Sequence, residues 1–489
     1  MPSRPGRIRH LAAAVFAPRS SSPALSAEAT TAGTTSPLRL RNDGDHSDHG
    51  DLDREADRPR VGERGLDLLF YAMSLTFAVG CAVASGFYGY RIWGNAAAAA
   101  YLVAVAHTAI CLCRPLPGRW GSRWTPVVIS AVGAIAVPLG YLVARRSPSF
   151  VWGPWPWSFP AQPEGWVVER AARLWRDTGS PYLNLDLMDR QPIPDDYTPY
   201  GPTMSVFGLP RALFGDSAFT DARIWFLVGA VASISAAWWV ARRDRAGTPG
   251  TPGTPPAATT VGVAQLLTVS PLTALTLVVA GDDIVVIGLI ALLVALGYRA
   301  NPLLAGVVAA LAVTVKLTAL PAVIVVAVGI VATRGIRAFS GFATALVAGT
   351  AVIVLPVLMS NPSMFVEHVI RFPAGLGRAE SPAASPLPGH LLAMTGPVGH
   401  AAALVVLGTA AVAVAGWVLR RPPRTAADAT LRIAVGLGAA IALAPATRFG
   451  YLVYPVALLG VLLGFRAVDR AAPSVTSSSS SSHRHGPAT

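Results

Sequence analysis

The residues best suited to chemistry are carboxylates set against two isolated cations. Between Pro163 and Pro202 the chain reads PEGWVVERAARLWRDTGSPYLNLDLMDRQPIPDDYTPYGP, which places Glu164, Asp186, Asp189, Asp195 and Asp196 among aromatics and prolines. Asp282 and Asp283 form an adjacent pair between two apolar runs, and Arg448 sits in the polar turn APATRFGYLVYP. Lys316 is the only lysine in the sequence and lies inside an otherwise apolar hairpin, Leu303 to Val331, whose second arm Pro321 is expected to break. A lysine within a span costs about 2.5–3.5 kcal/mol on insertion scales, so its presence is a functional hypothesis by default. A carboxylate can take a proton from an acceptor hydroxyl, while Lys and Arg stabilise negative charge gathering on a departing phosphate. That combination suits group transfer from a lipid-linked phosphate. Each residue also has a plainer reading. Lys316 could snorkel or clamp the aspartates, Arg448 could reach lipid headgroups, and the aspartate pair could complement a helix dipole.

The elements that position these residues are apolar. Apolar residues make up 53% of the 489-residue chain and charged residues 13%, which indicates an all-α polytopic membrane helical bundle rather than a soluble enzyme. Runs long enough to span are Leu66–Tyr90, Asn95–Cys113, Pro126–Ala144, Ala222–Ala241, Thr260–Ala280 and Ile284–Tyr298. They continue with Leu303–Val315, Leu317–Val331, Phe339–Met359, His400–Leu419, Leu431–Ala444 and Gly450–Phe465, giving about twelve transmembrane helices. Arginines cluster at 114–123, 242–245, 334–337 and 420–424, which fall on one side if both termini are cytoplasmic. Arg145 and Arg146 are the exception. The count requires that Pro202–Gly215, which is short and carries Pro210, does not cross and is a second interfacial or re-entrant helix. The expected organisation is a disordered cytoplasmic tail (1–63), a transmembrane domain (64–466) with outer loops at 145–221 and 360–399, and a second disordered cytoplasmic tail (467–489). The protein is expected in the cell membrane.

Within the first outer loop, Val167, Val168, Ala171, Leu174 and Trp175 share one helical face, and Glu169, Arg170, Arg173, Arg176 and Asp177 share the other. Gly179 and Pro181 should stop this helix, which would lie flat at the lipid–water boundary. The formal charge of +13 resides in the tail and short loops, where it sets orientation, so no nucleic-acid partner is expected. Cys81, Cys111 and Cys113 lie in or beside the first two runs and imply no disulfide framework, and no Cys/His cluster has metal-ligand spacing. His46 and His49 among acidic residues read as a solvated patch. The segments GTPGTPGTPP (Gly247–Pro256) and Ser477–Ser482 read as flexible.

Several segments, in order, resemble GT-C-class membrane glycosyltransferases, in particular the bacterial polyprenyl-phosphate-mannose-dependent kind. Glu164-x-x-Val167-Val168-x-x-Ala171-x-x-Leu174, running into Gly179-x-Pro181-Tyr182, resembles that family's stretch after an early span, although the family usually opens it with aspartate. Tyr197-Thr198-Pro199-Tyr200-Gly201-Pro202 resembles its Tyr-Pro-Pro stretch, and Gly281-Asp282-Asp283 stands where Gly-Asn or Gly-Gln is common. Ala305-Gly306 through Lys316 and Phe449-Gly450-Tyr451 with Pro455 complete a likeness that covers roughly 151–465. The first two spans look like an addition to that pattern.

The resemblance implies an inverting transfer of a sugar, mannose in the closest kind, from a polyprenyl-phosphate donor to a cell-envelope glycan or lipid at the outer face, with no metal or other cofactor. On that basis Glu164 is the base, with Asp186, Asp195 and Asp196 in reserve. Lys316 and Arg448 handle phosphate, and Asp282 or Asp283 orients the sugar. Substitution of the family's aspartate by Glu164 leaves a non-catalytic relative open. A transporter or lipid flippase is the other alternative, in which the same charges line a pathway, but no internal repeat supports it.

Overall fold

A computed structural model describes residues 61–146, 163–243 and 257–470. The two tails over most of their length, the GTPGTPGTPP repeat and the serine run lie outside these residues. Among the described residues the chain is helical with no strands, and nine helices are long and apolar enough to cross a membrane. The expected all-α polytopic bundle is what the chain forms.

In order, α1 spans Val61–Ala84, α2 Tyr88–Cys113 and α3 Trp124–Ala144, the last containing a π turn. The short helices α4 (Glu164–Thr178) and α5 (Leu209–Phe214) follow, then α6 (Ala222–Arg243) and α7 (Thr259–Val279). Asp282–Arg299 forms α8, Pro302–Val315 forms α9 and Leu320–Ser360 forms α10. The chain closes with α11 (Pro397–Arg420), α12 (Ala426–Leu443) and α13 (Val453–Arg470). Helix α10 is two arms joined at Gly335, whose φ of 79° breaks the helix. With α8 and α9 included, all the apolar runs found in the sequence are helical.

Some boundaries differ from expectation for local reasons. The first run does not continue to Tyr90, because α1 ends at Ala84 and α2 starts at Tyr88, so Tyr90 belongs to the second helix. Pro321 does not break an arm. It sits in the first turn of α10, where a missing N–H costs nothing. Helix α13 runs to Arg470, beyond the expected start of the tail at 467.

Pro202–Gly215 forms a 3₁₀ turn and α5, a compact segment that does not cross the bundle. Helix α4 ends at Gly179 in the left-handed conformation, as its sequence predicts. Its apolar face is largely covered by protein, with Leu174 and Trp175 left half-buried. Trp166, Val167, Val168, Ala171 and Ala172 are buried against the 202–208 turn and α5. Gly208 permits this approach, since a Cβ there would stand 2.5 Å from the Val168 carbonyl oxygen.

Glu169 also departs from its expected place on a solvated face. It is fully buried, accepting from Arg146 at 2.6 and 2.9 Å, from the Ala222 N–H at 2.9 Å and pairing with Arg211 at 3.2 Å. Arg146 also bonds Asp221 at 2.9 Å, and Asp221 is bonded by Arg223 at 2.7 Å. Arg211 also pairs with Asp216 at 2.5 Å, so three arginines and three carboxylates neutralise one another in a low-dielectric setting, where leaving one member alone would be costly. This network is the physical reason for an arginine at 146, the exception to the expected charge pattern. It ties the end of α3 and the start of α6 to α4, and so fixes the helix that carries Glu164.

Candidate active site

At the end of the bundle bearing α4 and the 361–396 segment, a cavity of about 310 Å³ opens. It collects Glu164, Asp195, Asp282, Asp283, Lys316 and Arg448, which the sequence scatters over nearly three hundred positions.

Each is placed by a local feature. Glu164 is the first residue of α4, with its Oε1 accepting from Arg448 Nη1 at 3.0 Å. Its Oε2 is buried and has no hydrogen-bond partner among the described residues. Asp282 and Asp283 open α8, where the helix N-terminus favours negative charge. Gly281 turns the chain into α8 with φ 85°, and a Cβ there would crowd Phe226 at 3.1 Å. Lys316 caps the C-terminus of α9 in extended conformation, ending that helix and turning its side chain toward α8. Its Nζ donates to Asp282 Oδ2 at 2.9 Å and Asp283 Oδ1 at 2.5 Å, beneath the rings of Tyr200 and Tyr451. Asp283 also accepts from the Tyr454 hydroxyl at 2.7 Å. Arg448 lies in the extended turn before α13, which pairs with the 361–396 segment (with 180–201, the cap) through Ser385 N–H to Thr447 O at 2.9 Å and Thr447 N–H to Ala383 O at 3.1 Å.

The electrostatics match the burial. Burial pushes the Glu164 carboxyl above the ordinary range; Arg448 opposes this and Asp282 adds to it. Burial also raises Asp195, against the opposing charges of Arg170 and Arg448. Burial works against the charge of Arg448, but facing Glu164 keeps its pKa above the usual arginine value. The site can thus hold a carboxylate of raised basicity beside a guanidinium.

Of the other carboxylates, Asp186 and Asp196 are drawn away from the cavity. Asp186 is more than half exposed and pairs with Arg378 at 2.7 Å. Asp196 takes a bidentate bond from Arg190 at 2.6 and 2.8 Å and the Ile193 N–H at 2.8 Å; although burial pushes it up, these bonds hold it below the carboxylate range. Both bind arginines of their own cap, which a sequence count of carboxylates cannot foresee. Asp195 does line the cavity, with its backbone oxygen bonded by Arg170 at 2.8 Å. Sequence reasoning missed the phenols. Tyr200 and Tyr451 stand in recognised motifs, but Tyr90 reaches the cavity from α2 without any local signal. Among the described residues, no group of three His, Cys, Asp or Glu side chains is set to hold a metal ion.

The cap is held by a small core of its own, including Tyr182, Leu185, Tyr197, Met364 and Phe372. His368 sits fully buried within it. Its Nδ1 accepts the Thr198 N–H at 3.0 Å, which leaves Nε2 to donate to the Leu183 carbonyl at 2.9 Å. This tautomer has no room for a second proton, and burial lowers the pKa from 6.5 to about 4. The unfolded chain therefore binds more protons between these values. Stability from His368 is full above pH 6.5 and falls as pH drops toward 4, by about 3 kcal/mol in all. Lowering the pH across this window should speed limited proteolysis of the cap. A cleavage rate that stays flat over this window rules the effect out.

The Glycosyltransferase family 87 model matches residues 197–455. No curated protein matches the chain, and no solved structure does. Glu164 and Tyr90 lie before the matched region, yet both reach the cavity formed by Lys316, Arg448 and the aspartates within it. With more than half its length matched, and with apolar helices long enough to cross a bilayer, the chain belongs to glycosyltransferase family 87 and is a membrane glycosyltransferase.

Proposed function

We propose that the cavity transfers a sugar, with mannose the first candidate, from a polyprenyl-phosphate donor to a cell-envelope glycan or lipid at the outer membrane face, with inversion. The observation that carries this reading is the contact between Glu164 and Arg448 in a cavity that also holds Lys316 and the aspartate pair. Glu164 takes the proton of the acceptor hydroxyl as its oxygen attacks the anomeric carbon. The bond from that carbon to the phosphate oxygen breaks, and the polyprenyl phosphate leaves with its charge met by Arg448 and Lys316. Asp282 or Asp283, fixed at the start of α8, orients the sugar hydroxyls. Asp195 lines the same space, is not bonded to Lys316 and stands as the reserve base.

The test is transfer from a panel of labelled polyprenyl-phosphate sugars by membranes containing the protein, with an envelope fraction as acceptor. Transfer from one donor in the panel supports the reading and names the sugar. No transfer from any of them, with nucleotide sugars active instead, overturns the donor class.

A further inference from the structure

The cavity contains two cations, but they are committed unequally. Lys316 is bonded to two carboxylates at once, so the Lys316–Asp282–Asp283 trio carries a net negative charge. An incoming anion would have to displace both aspartates to take this ammonium. Arg448 is bonded to one carboxylate through one nitrogen, with its side chain 34% exposed at the cavity. A guanidinium offers five N–H donors and suits bidentate pairing with phosphate. Arg448 is therefore the cation that an anionic headgroup meets first.

We propose that Arg448 is held in turn by two anions. In the substrate-free site it pairs with Glu164, and the phosphate of the incoming lipid donor takes it over, leaving Glu164 without a cationic partner as the donor seats. This deepens the proposed function and rests on it. Glu164 Oε2 already faces no donor, so the Arg448 contact is the one side-chain bond that the carboxylate makes among the described residues. The exchange removes it. The other charged and titratable groups around the pair stay in place. Asp282 and Lys316 act on Glu164 from α8 and the end of α9, Asp195 faces Arg448, and the phenols of Tyr90, Tyr200 and Tyr451 surround the guanidinium. The mechanistic consequence is order: the base gains basicity only once a donor phosphate is seated, so acceptor hydroxyls are not activated in an empty site.

A carboxylate that loses its cation binds its proton more tightly. Below the bound-state pKa of Glu164, donor phosphate is thus coupled to proton uptake there, and its affinity falls as pH rises through that pKa, above which the carboxylate is free to act as the base. The donor itself is a phosphodiester with no second ionisation, and the second ionisation of a monoester probe is common to all variants and cancels in comparisons.

The experiment is equilibrium binding of farnesyl phosphate to the purified full-length protein in detergent, with thermal unfolding as the folding control. Glu164→Gln should bind about tenfold more tightly than wild type, because Arg448 no longer has to leave a carboxylate. Its affinity should also lose the wild-type fall with pH. Asp195→Asn, which removes a cavity charge not bonded to Arg448, should change affinity by less than about threefold. Inorganic phosphate should show the same order of variants more weakly, which assigns the effect to the headgroup rather than the chain. Affinity in Glu164→Gln equal to or below wild type overturns the exchange, and so does equal tightening in Asp195→Asn. Because transfer activity is measured separately, loss of transfer in Glu164→Gln without tighter binding leaves the base in place and removes only the exchange.

Discussion

Glu164→Gln is expected to lower the rate of sugar transfer by about 10²–10⁴-fold, the range for removal of a positioned general base. The substitution keeps the size of the side chain and its hydrogen bond from Arg448, so the start of α4 should not move. What it removes is the ability to take a proton. Burial, against the opposing charge of Arg448, gives Glu164 raised basicity. The measurement is initial rate with donor varied at saturating acceptor. A fall in kcat with the donor KM unchanged or lowered fits the role. If Glu164→Gln transfers at the wild-type rate and Asp195→Asn does not, the base is Asp195, which lines the cavity and is also raised by burial.

Lys316→Met should both destabilise the protein by about 3–5 kcal/mol and abolish transfer. Asp282 and Asp283 are 2% and 6% exposed, and without the ammonium two adjacent carboxylates remain buried with the Tyr454 hydroxyl as the one side-chain donor to Asp283. Stability and catalysis can be separated by adding Asp282→Asn and Asp283→Asn to Lys316→Met. The triple variant has no buried uncompensated charge, so its thermal midpoint should return towards wild type while transfer stays absent. Recovery of transfer along with stability would reduce Lys316 to a clamp for the start of α8. An unchanged midpoint in Lys316→Met alone would contradict the burial argument itself.

The sequence by itself determined the class of fold, because a chain with these apolar runs can satisfy its backbone in a bilayer only as helices. It also determined the local devices: Gly179 ending α4, the compact Pro202–Gly215 segment and the aspartates opening α8. The singular Lys316 was legible for an energetic reason, since no other lysine exists to dilute the signal. The tertiary structure alone decided which polar groups are partners. Helical periodicity put Glu169 on a solvated face, but Arg146, Arg211 and the start of α6 close over it, which no pattern within one helix contains. Asp186, Asp195 and Asp196 are equivalent as letters; one pairs at the surface, one is neutralised by Arg190 and one lines the cavity, because the cap folds around its own aromatic core. The Glu164–Arg448 contact joins residues 284 positions apart. Periodicity and propensity act over a few turns of helix, whereas that pairing is set by how α4, α8, α9 and α13 pack at one end of the bundle.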